Sequence, residues 1–386
     1  MRSNGLFTGT KIPGLDGLRA ISILLVMASH SGLQGVVPGV FGVTVFFFIS
    51  GFLITTLLLR EHEAHGRICL RTFYVRRLLW LYPPLIVFIL ISTLAWIVTG
   101  HQIDLIGIAA ALGYLANYAS ILIPESMRGV GGQLWSLAVE EHFYALYPLL
   151  VMVLAPRLFL ALPVVLGLCA LSLGLRFFIA LSYPEVAAEY IGKATETRVD
   201  AILFGAAAAL MLRMKGEAFV ERWTRPGVVM LAFAALLFSF LIRDAFFRET
   251  IRYTIQSIAL VPLVLAAAAG FRYVLARKVL ESWPMVQIGK LSYSLYLWHL
   301  AGLALGEAIV PGSGWNLVMA MAIGWAASFL FATASYWYVE LPLLGLRRQF
   351  GSNVGGGPAA GSMSSKRPYT GPERRLAPRD TVLPAA

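Results

Sequence analysis

WSLAVEEHFYALYP, residues 135–148, places two acids and a histidine near one end of an apolar run that continues to Ala155. A run of this length can cross a bilayer as a single helix. An ionisable side chain inside a spanning helix costs at least about 2.5 kcal/mol, so such groups usually face a protein interior or a water-filled cavity. Glu140, Glu141 and His142, which lie beside aromatic residues, therefore indicate a polar site inside a membrane helix.

The composition of the whole chain is that of a membrane protein. Of its 386 residues, 58% are hydrophobic and only 13% are charged, about half the share that a soluble domain carries. The formal charge of +11 is compatible with nucleic-acid binding. However, the basic residues lie in loops and in the tail, where the positive-inside rule places them, so we expect no nucleic-acid partner. Cys69 and Cys169 form neither a metal-ligand pattern nor a disulfide framework, and no metal site is expected.

The order of apolar runs and basic loops predicts an all-α polytopic bundle of about ten transmembrane helices. The loop between Arg60 and Arg77 is strongly basic and therefore cytoplasmic. Residues 104–122 are apolar but short, and counting from the basic loops predicts that they do not cross the membrane. They are then re-entrant or interfacial, and both termini are cytoplasmic. The predicted spans are residues 15–33, 43–59, 78–98, 136–154, 158–180, 199–213, 227–242, 253–270, 286–308 and 315–338.

The chain is expected to hold one membrane domain and no second soluble domain. Residues 1–14 are interpreted as a short cytoplasmic lead and residues 15–346 as the membrane domain. Residues 347–386 are rich in Gly, Ser, Pro and Arg, a composition typical of a disordered segment, here a cytoplasmic tail.

The predicted topology assigns a depth to each polar residue within a span. His30 and Glu140 each lie about four residues from the outer end of their helices, so they are expected at the same level, nearer the external face. Arg198 and Asp200 begin a span at that same face. These four residues form a predicted outer layer.

Several basic residues lie near the opposite, cytoplasmic ends of the predicted helices. Arg19 precedes His30 by about 16 Å along a helix axis, and Arg76 and Arg77 begin the third span. An inner basic layer is therefore predicted about half a bilayer away from the outer layer. Guanidinium groups pair bidentately with phosphate, and a neutral histidine accepts a proton from a hydroxyl while a carboxylate fixes its tautomer. The two layers suit a phosphorylated cytoplasmic donor with a long arm.

Each of these residues also has a purely structural interpretation. His30 and His299 could each be hydrogen-bonded contacts between helices. Glu140 and Glu141 could pair with Arg198, and the paired arginines of the basic loop could serve only to set the topology. No HExxH, P-loop or GxSxG motif occurs, so metal hydrolysis, nucleotide hydrolysis and a serine nucleophile have no support.

The ordered set of motifs resembles the acyltransferase 3 family of integral-membrane O-acyltransferases over residues 11–346. An arginine and a histidine stand at the family's matching positions in the first helix. Two departures are Trp80, where the family commonly has a third arginine, and His142, where a glutamine is usual. The segments that carry the resemblance are LDGLRAISILLVMASH, GVFGVTVFFFISGFLI, FYVRRLLWLYP, WSLAVEEHFYALYP, RVDAILFG, LSYSLYLWH and SYWYVELP.

This resemblance implies transfer of an acyl group, most often acetyl, from cytoplasmic acyl-CoA to a hydroxyl of an envelope or exported carbohydrate. It implies a multi-pass protein of a bacterial cytoplasmic membrane, with acyl-CoA, a carbohydrate or glycolipid acceptor and the bilayer as partners. No permanently bound cofactor is implied, and acetyl-CoA is the expected co-substrate. The implied roles are His30 as general base with Glu140 or Glu141 orienting it, Arg19, Arg76 and Arg77 on the CoA phosphates, and Ser136 and His299 on the acceptor. Arg198 and Asp200 are expected either to bind the acceptor or to hold the outer layer together.

Two other functional classes compete with this interpretation. A transporter or flippase for a lipid-linked saccharide could use the same polar groups to line a path, but it predicts paired repeats with broken helices. No such repeat is detectable in the sequence. A membrane sensor would need a signalling domain, and the tail is too short and too polar for one.

Overall fold

The computed structural model describes residues 12–269, 273–343 and 345, and all of these belong to one compact unit. Every regular element among them is helical and none is a strand, which confirms the all-α prediction for this part of the chain. Most of the predicted lead and the whole predicted tail, residues 347–386, lie outside the described residues.

Each of the ten predicted spans coincides with a helix. A wide π-type turn, Ser29–Leu33, follows the first helix, and another, Tyr336–Glu340, follows the last. The α-helices in chain order are α1 (Leu15–Ala28), α2 (Gly39–His65), α3 (Leu70–Val98), α4 (Leu105–Leu112), α5 (Ala116–Leu122), α6 (Trp135–Leu154), α7 (Leu158–Ser182), α8 (Pro184–Lys193), α9 (Thr195–Arg198), α10 (Asp200–Lys215), α11 (Glu217–Trp223), α12 (Pro226–Leu241), α13 (Ala245–Glu249), α14 (Ile251–Ala269), α15 (Val274–Leu280), α16 (Trp283–Ile309) and α17 (Trp315–Ser335).

Five helical stretches are long and apolar enough to cross a membrane, or six if α11 and α12, bent by 59°, count as one span. One of the five, Gly132–Ser182, contains both α6 and α7. The helices α1 and α10 have only 14 and 16 residues, fewer than the about 20 that a perpendicular crossing needs. The chain is therefore a helical membrane protein, while the count of ten spans and the orientation of the termini remain predictions.

Residues 104–122 form two short helices instead of one long one. The first, α4, has 8 residues and the second, α5, has 7. Between them Tyr114 adopts a positive φ of 55°, a conformation that interrupts any helix. Neither helix approaches the about 20 residues needed to cross a bilayer, which agrees with the prediction that this segment does not cross.

The helices α2 and α10 touch backbone to backbone. A Cβ atom added to Gly51 would lie 1.8 Å from the carbonyl oxygen of Ile202, and one added to Gly205 would lie 2.0 Å from that of Phe48. Small residues at such crossings allow membrane helices to gain van der Waals contact that apolar lipid cannot otherwise drive. This crossing lies at the centre of the bundle and holds the start of α10 against α2.

A second close crossing joins α1 to α16. A Cβ atom added to Gly289 would lie 2.0 Å from the carbonyl oxygen of Asp16. Further along, α16 packs against α17 through Gly306, whose added Cβ would lie 2.2 Å from the carbonyl oxygen of Ala320. The first contact sets α1 and α16 side by side, and the end of α1 lies beside the middle of α16, where His299 stands.

The crossing of α2 and α10 predicts a large difference between two glycine substitutions. Gly51→Ala should lower the free energy of unfolding by about 1–3 kcal/mol or more, because its methyl group has no space. Gly167→Ala in α7 is the matched control, since nothing lies within 4 Å of its added Cβ. It should be neutral or gain up to about 1 kcal/mol from helix propensity. Thermal unfolding of the purified proteins measures both, and equal midpoints would contradict the packing described here.

Candidate active site

Two histidines meet where α1 ends. The chain leaves α1 through the wide turn Ser29–Leu33, in which Gly32 adopts a left-handed φ of 86°, and His30 lies in this turn. Nε2 of His299, on α16, lies 3.1 Å from Nδ1 of His30. His299 is completely buried, whereas His30 is exposed. The structure thus brings together two residues that the sequence analysis had assigned separate roles.

The hydrogen bonds around this pair assign the positions of its protons. Nδ1 of His299 lies 2.8 Å from the backbone carbonyl oxygen of Tyr296, which can only accept, so this nitrogen carries the proton. Nε2 of a neutral His299 is then an acceptor, and Nδ1 of His30 donates to it. Nε2 of His30 therefore keeps a lone pair that no described side chain occupies.

Buried hydrogen bonds tie α16 to the start of α6 behind the histidine pair. The hydroxyl of Ser136 donates to that of Tyr296 at 2.6 Å, which in turn donates to the carbonyl oxygen of Gln133 at 2.7 Å. The amide of Gln133 donates to the carbonyl oxygen of Leu297 at 2.9 Å. Ser136 is therefore hydrogen-bonded to the helix that carries His299. The sequence analysis missed Tyr296 and Gln133.

Glu140 has partners other than His30. The hydroxyl of Ser50 donates to Oε1 at 3.0 Å and that of Tyr144 donates to Oε2 at 3.2 Å. No hydrogen bond joins Glu140 to His30 in the described part of the chain, contrary to the expected pairing. The physical reason is that both carboxylate oxygens already accept from hydroxyl groups on α2 and α6. Glu141, the expected substitute, is half-buried beside Glu140.

The inner basic residues reach closer to the carboxylates than the predicted two layers imply. The guanidinium carbon of Arg77 lies 3.8 Å from the centre of the Tyr144 ring, the same residue that donates to Glu140. Arg77 and Arg19 are the positive charges that act on Glu140, and Arg76 lies beside Arg77. Glu140 therefore belongs with the arginines, because the Tyr144 that donates to it also contacts Arg77.

Arg198 and Asp200 are both buried, but they make different contacts. Asp200 forms an ion pair with Arg176 at 2.7 Å, inside the protein. Arg198 stacks on the ring of Tyr253 at 3.8 Å and donates to the hydroxyl of Thr44 at 3.3 Å. The sequence analysis missed Arg176, although a lone arginine within the apolar run of α7 was a usable signal. Asp200 thus holds helices together, which was one of the two roles expected for it in the outer layer.

The family of this chain follows from comparison with known proteins. The sequence profile described as an acyltransferase domain matches residues 12–339. The chain belongs to the acyltransferase 3 family. A Staphylococcus aureus (strain COL) protein provisionally named an O-acetyltransferase is 31% identical, with 86% of this chain and 57% of the relative covered. No solved structure matches the chain.

Two further relatives of the family have more specific names. The peptidoglycan O-acetyltransferase OatA of Listeria monocytogenes is 27% identical, with 89% of this chain and 57% of the relative covered. The O-acetyltransferase OatA of Staphylococcus aureus (strain NCTC 8325) is 30% identical, with 89% and 58% covered. The chain therefore spans somewhat more than half the length of these relatives.

The two departures from the motifs of the acyltransferase 3 family lie in different surroundings. Trp80 lies with its ring 5.7 Å from the guanidinium carbon of Arg77, so it adds an aromatic face beside that arginine and no charge. Nδ1 of His142 lies 2.6 Å from the hydroxyl of Thr195, and its ring stacks on Tyr118. His142 thus links α6 to α5 and α9 and lies outside the histidine pair.

The histidine pair predicts different losses for its two members. His30→Ala should lower kcat for acyl transfer by about 10²–10⁴-fold, the usual worth of a general base. His299→Ala should lower kcat by less, because it removes only the group that orients the base. It should also move the acid limb of the pH–rate profile, since the neighbour of the titrating ring has changed.

The control for this prediction is His101→Ala, at an exposed histidine that stacks on Trp96 away from α1 and α16. It should leave both kcat and the acid limb of the pH–rate profile as in the native protein. A His299→Ala variant with reduced kcat but an unmoved acid limb would assign His299 a role in packing only.

Proposed function

We propose that this protein is a membrane O-acyltransferase that moves an acetyl group from acetyl-CoA to a hydroxyl of an envelope or exported carbohydrate. The observation that carries the proposal is the free Nε2 of His30, held in one tautomer by His299 at the edge of a cavity. Membership of the acyltransferase 3 family supports the reaction class. A relative named for peptidoglycan O-acetylation supports a cell-envelope carbohydrate as the acceptor.

On the acceptor side, His30 acts as the general base. Its Nε2 takes the proton of the sugar hydroxyl as the hydroxyl oxygen attacks the carbonyl carbon of the thioester. The carbon–sulfur bond then breaks, and the CoA thiolate leaves and takes up the proton from the imidazolium. His299 holds the ring in place through the Nδ1 proton that His30 keeps throughout. An ester and free CoA are the products.

On the donor side, Arg77, Arg76 and Arg19 bind the phosphates of CoA. Guanidinium groups match phosphate in shape and charge, which makes them suited to this contact. The long pantetheine arm then extends from the arginines toward His30. Glu140 holds Arg77 in place indirectly. It accepts a hydrogen bond from Tyr144, and the guanidinium of Arg77 lies over the ring of Tyr144. We therefore assign Glu140 to positioning the donor site and no longer to orienting His30. Glu141 lies beside it as a second negative charge.

Arg77→Gln tests the donor site. The substitution should raise KM for acetyl-CoA by about tenfold or more, the usual worth of a charged hydrogen bond, with a smaller effect on kcat. Arg71→Gln is the matched control, because Arg71 is an exposed arginine at the second residue of the same helix. Initial rates of CoA release give both constants. Equal KM values for the two variants would remove Arg77 from the donor site.

Mass spectrometry of envelope and secreted carbohydrate tests the function itself. Cells with the native gene, a deletion or His30→Ala are compared, with protein amounts checked by immunoblot. An acetyl-sized mass should be lost in the deletion and in His30→Ala at normal protein level, and its position identifies the acceptor. An unchanged acetylation pattern with altered amounts of total polysaccharide would contradict acyl transfer and favour a transporter.

A further inference from the structure

A cavity of about 390 Å³ opens beside His30. It lies between the turn that follows α1 and the segment that joins α12 to α14. His30 lines one side, and Arg243, Arg248 and Arg252 line another. Its volume falls within the about 300–1,000 Å³ typical of small-molecule sites. His30, the proposed base, therefore shares a cavity with three arginines.

The positive charge of this cavity is not balanced by acidic side chains among the described residues. No carboxylate lines it, and none of the three arginines forms an ion pair with any described residue. The acids of the same segment, Asp244 and Glu249, lie outside the lining, and Asp244 instead accepts from the backbone N–H of Phe247 at 2.7 Å. Like charges that face one cavity repel each other, so an anion between them is favoured.

The predicted topology makes these arginines unusual in their location. The segment that joins α12 to α14 follows a predicted outward span, so it is expected on the external face. Basic residues in short loops are biased toward the cytoplasmic side. The positive-inside rule therefore does not explain why Arg243, Arg248 and Arg252 lie on this side. A ligand that binds them on the external side does explain it.

The rest of the lining suits a sugar ring. Phe41 and Phe240 form an edge-to-face pair with ring centres 5.3 Å apart, and both line the cavity. Tyr253 also lines it, with its ring fixed by the guanidinium of Arg198 at 3.8 Å. Aromatic walls of this kind pack against the apolar face of a sugar, while the arginines bind an acidic substituent.

We propose that Arg243, Arg248 and Arg252 bind a carboxylate or phosphate carried by the carbohydrate acceptor. This contact places the acceptor's hydroxyl at Nε2 of His30. The inference rests on the proposed acyl transfer and adds that the acceptor is an anionic saccharide. A lipid headgroup offers the same phosphate chemistry, so the experiment separates the two sources.

The test is a binding measurement on the full chain in phosphatidylcholine nanodiscs, which avoids sugar-based detergents. The probes are a hyaluronan tetrasaccharide and the same tetrasaccharide with its carboxylates converted to carboxamides. The native protein should bind the charged probe about tenfold or more tightly than the amidated one, the usual worth of charged hydrogen bonds. The triple variant Arg243→Gln, Arg248→Gln, Arg252→Gln should lose this preference.

The matched control removes three other exposed arginines, Arg157, Arg222 and Arg225, by the same change to Gln. Arg225 lies at the opposite end of α12 from Arg243, about 24 Å away along a helix of 16 residues. This control keeps the preference for the charged probe. Equal binding of the two probes to the native protein, or a preference that survives in the first triple variant, would overturn the proposal.

Native mass spectrometry and donor turnover complete the test. A phosphatidylglycerol adduct that depends on the three arginines, without a preference for the charged probe, would assign the site to a lipid headgroup and overturn the proposal. Acetyl-CoA turnover by the same preparations tests acyl transfer separately. A preparation that prefers the charged probe but does not turn over acetyl-CoA would support the anion site and reject acyl transfer. A preparation that turns over acetyl-CoA but shows no preference for the charged probe would support acyl transfer and reject the anion site.

Discussion

The helices α1 and α16 touch backbone to backbone, because Gly289 stands where the carbonyl oxygen of Asp16 leaves no room for a side chain. Lipid offers membrane helices little hydrophobic reason to associate, so such close packing largely determines which helices are neighbours. The contact sets the two helices side by side, and His30, just after α1, then meets His299, in the middle of α16, at 3.1 Å. The proton positions of the pair follow from that meeting, since the Tyr296 carbonyl decides the tautomer of His299.

The site divides into two polar groups with different tasks, and α6 connects them. Ser136, near the start of α6, acts through Tyr296 on the helix that carries His299. Glu140, one turn further along, accepts from Tyr144 and so belongs with Arg77. One helix thus contacts both the helix that carries His299 and, through Tyr144, the arginine that we propose binds the donor. A long, flexible donor suits such a site, because the phosphate contacts and the reacting carbonyl lie apart.

Much of the fold was predictable from the sequence, because apolar length and loop charge determine where helices lie. All ten predicted spans overlap helices, and residues 104–122 form two helices too short to cross, in line with the expectation that this segment does not cross. The pairings within the site were not predictable. Depth along a helix follows from residue number, but the direction in which a side chain points depends on how neighbouring helices are rotated and packed. Glu140 and His30 were therefore expected together, and Asp200 was not assigned to Arg176.

A neutral partner for His30 is consistent with an anionic acceptor. A carboxylate beside the ring would stabilise an imidazolium, but it would also repel a negatively charged saccharide. His299 orients the ring through a hydrogen bond and adds no negative charge to the cavity. The proposed donor is a thioester, which is already reactive, so the proposed transfer needs a base of only modest strength. The separation of Glu140 from His30 therefore leaves the three arginines as the main charges that an acceptor meets on its way to the base.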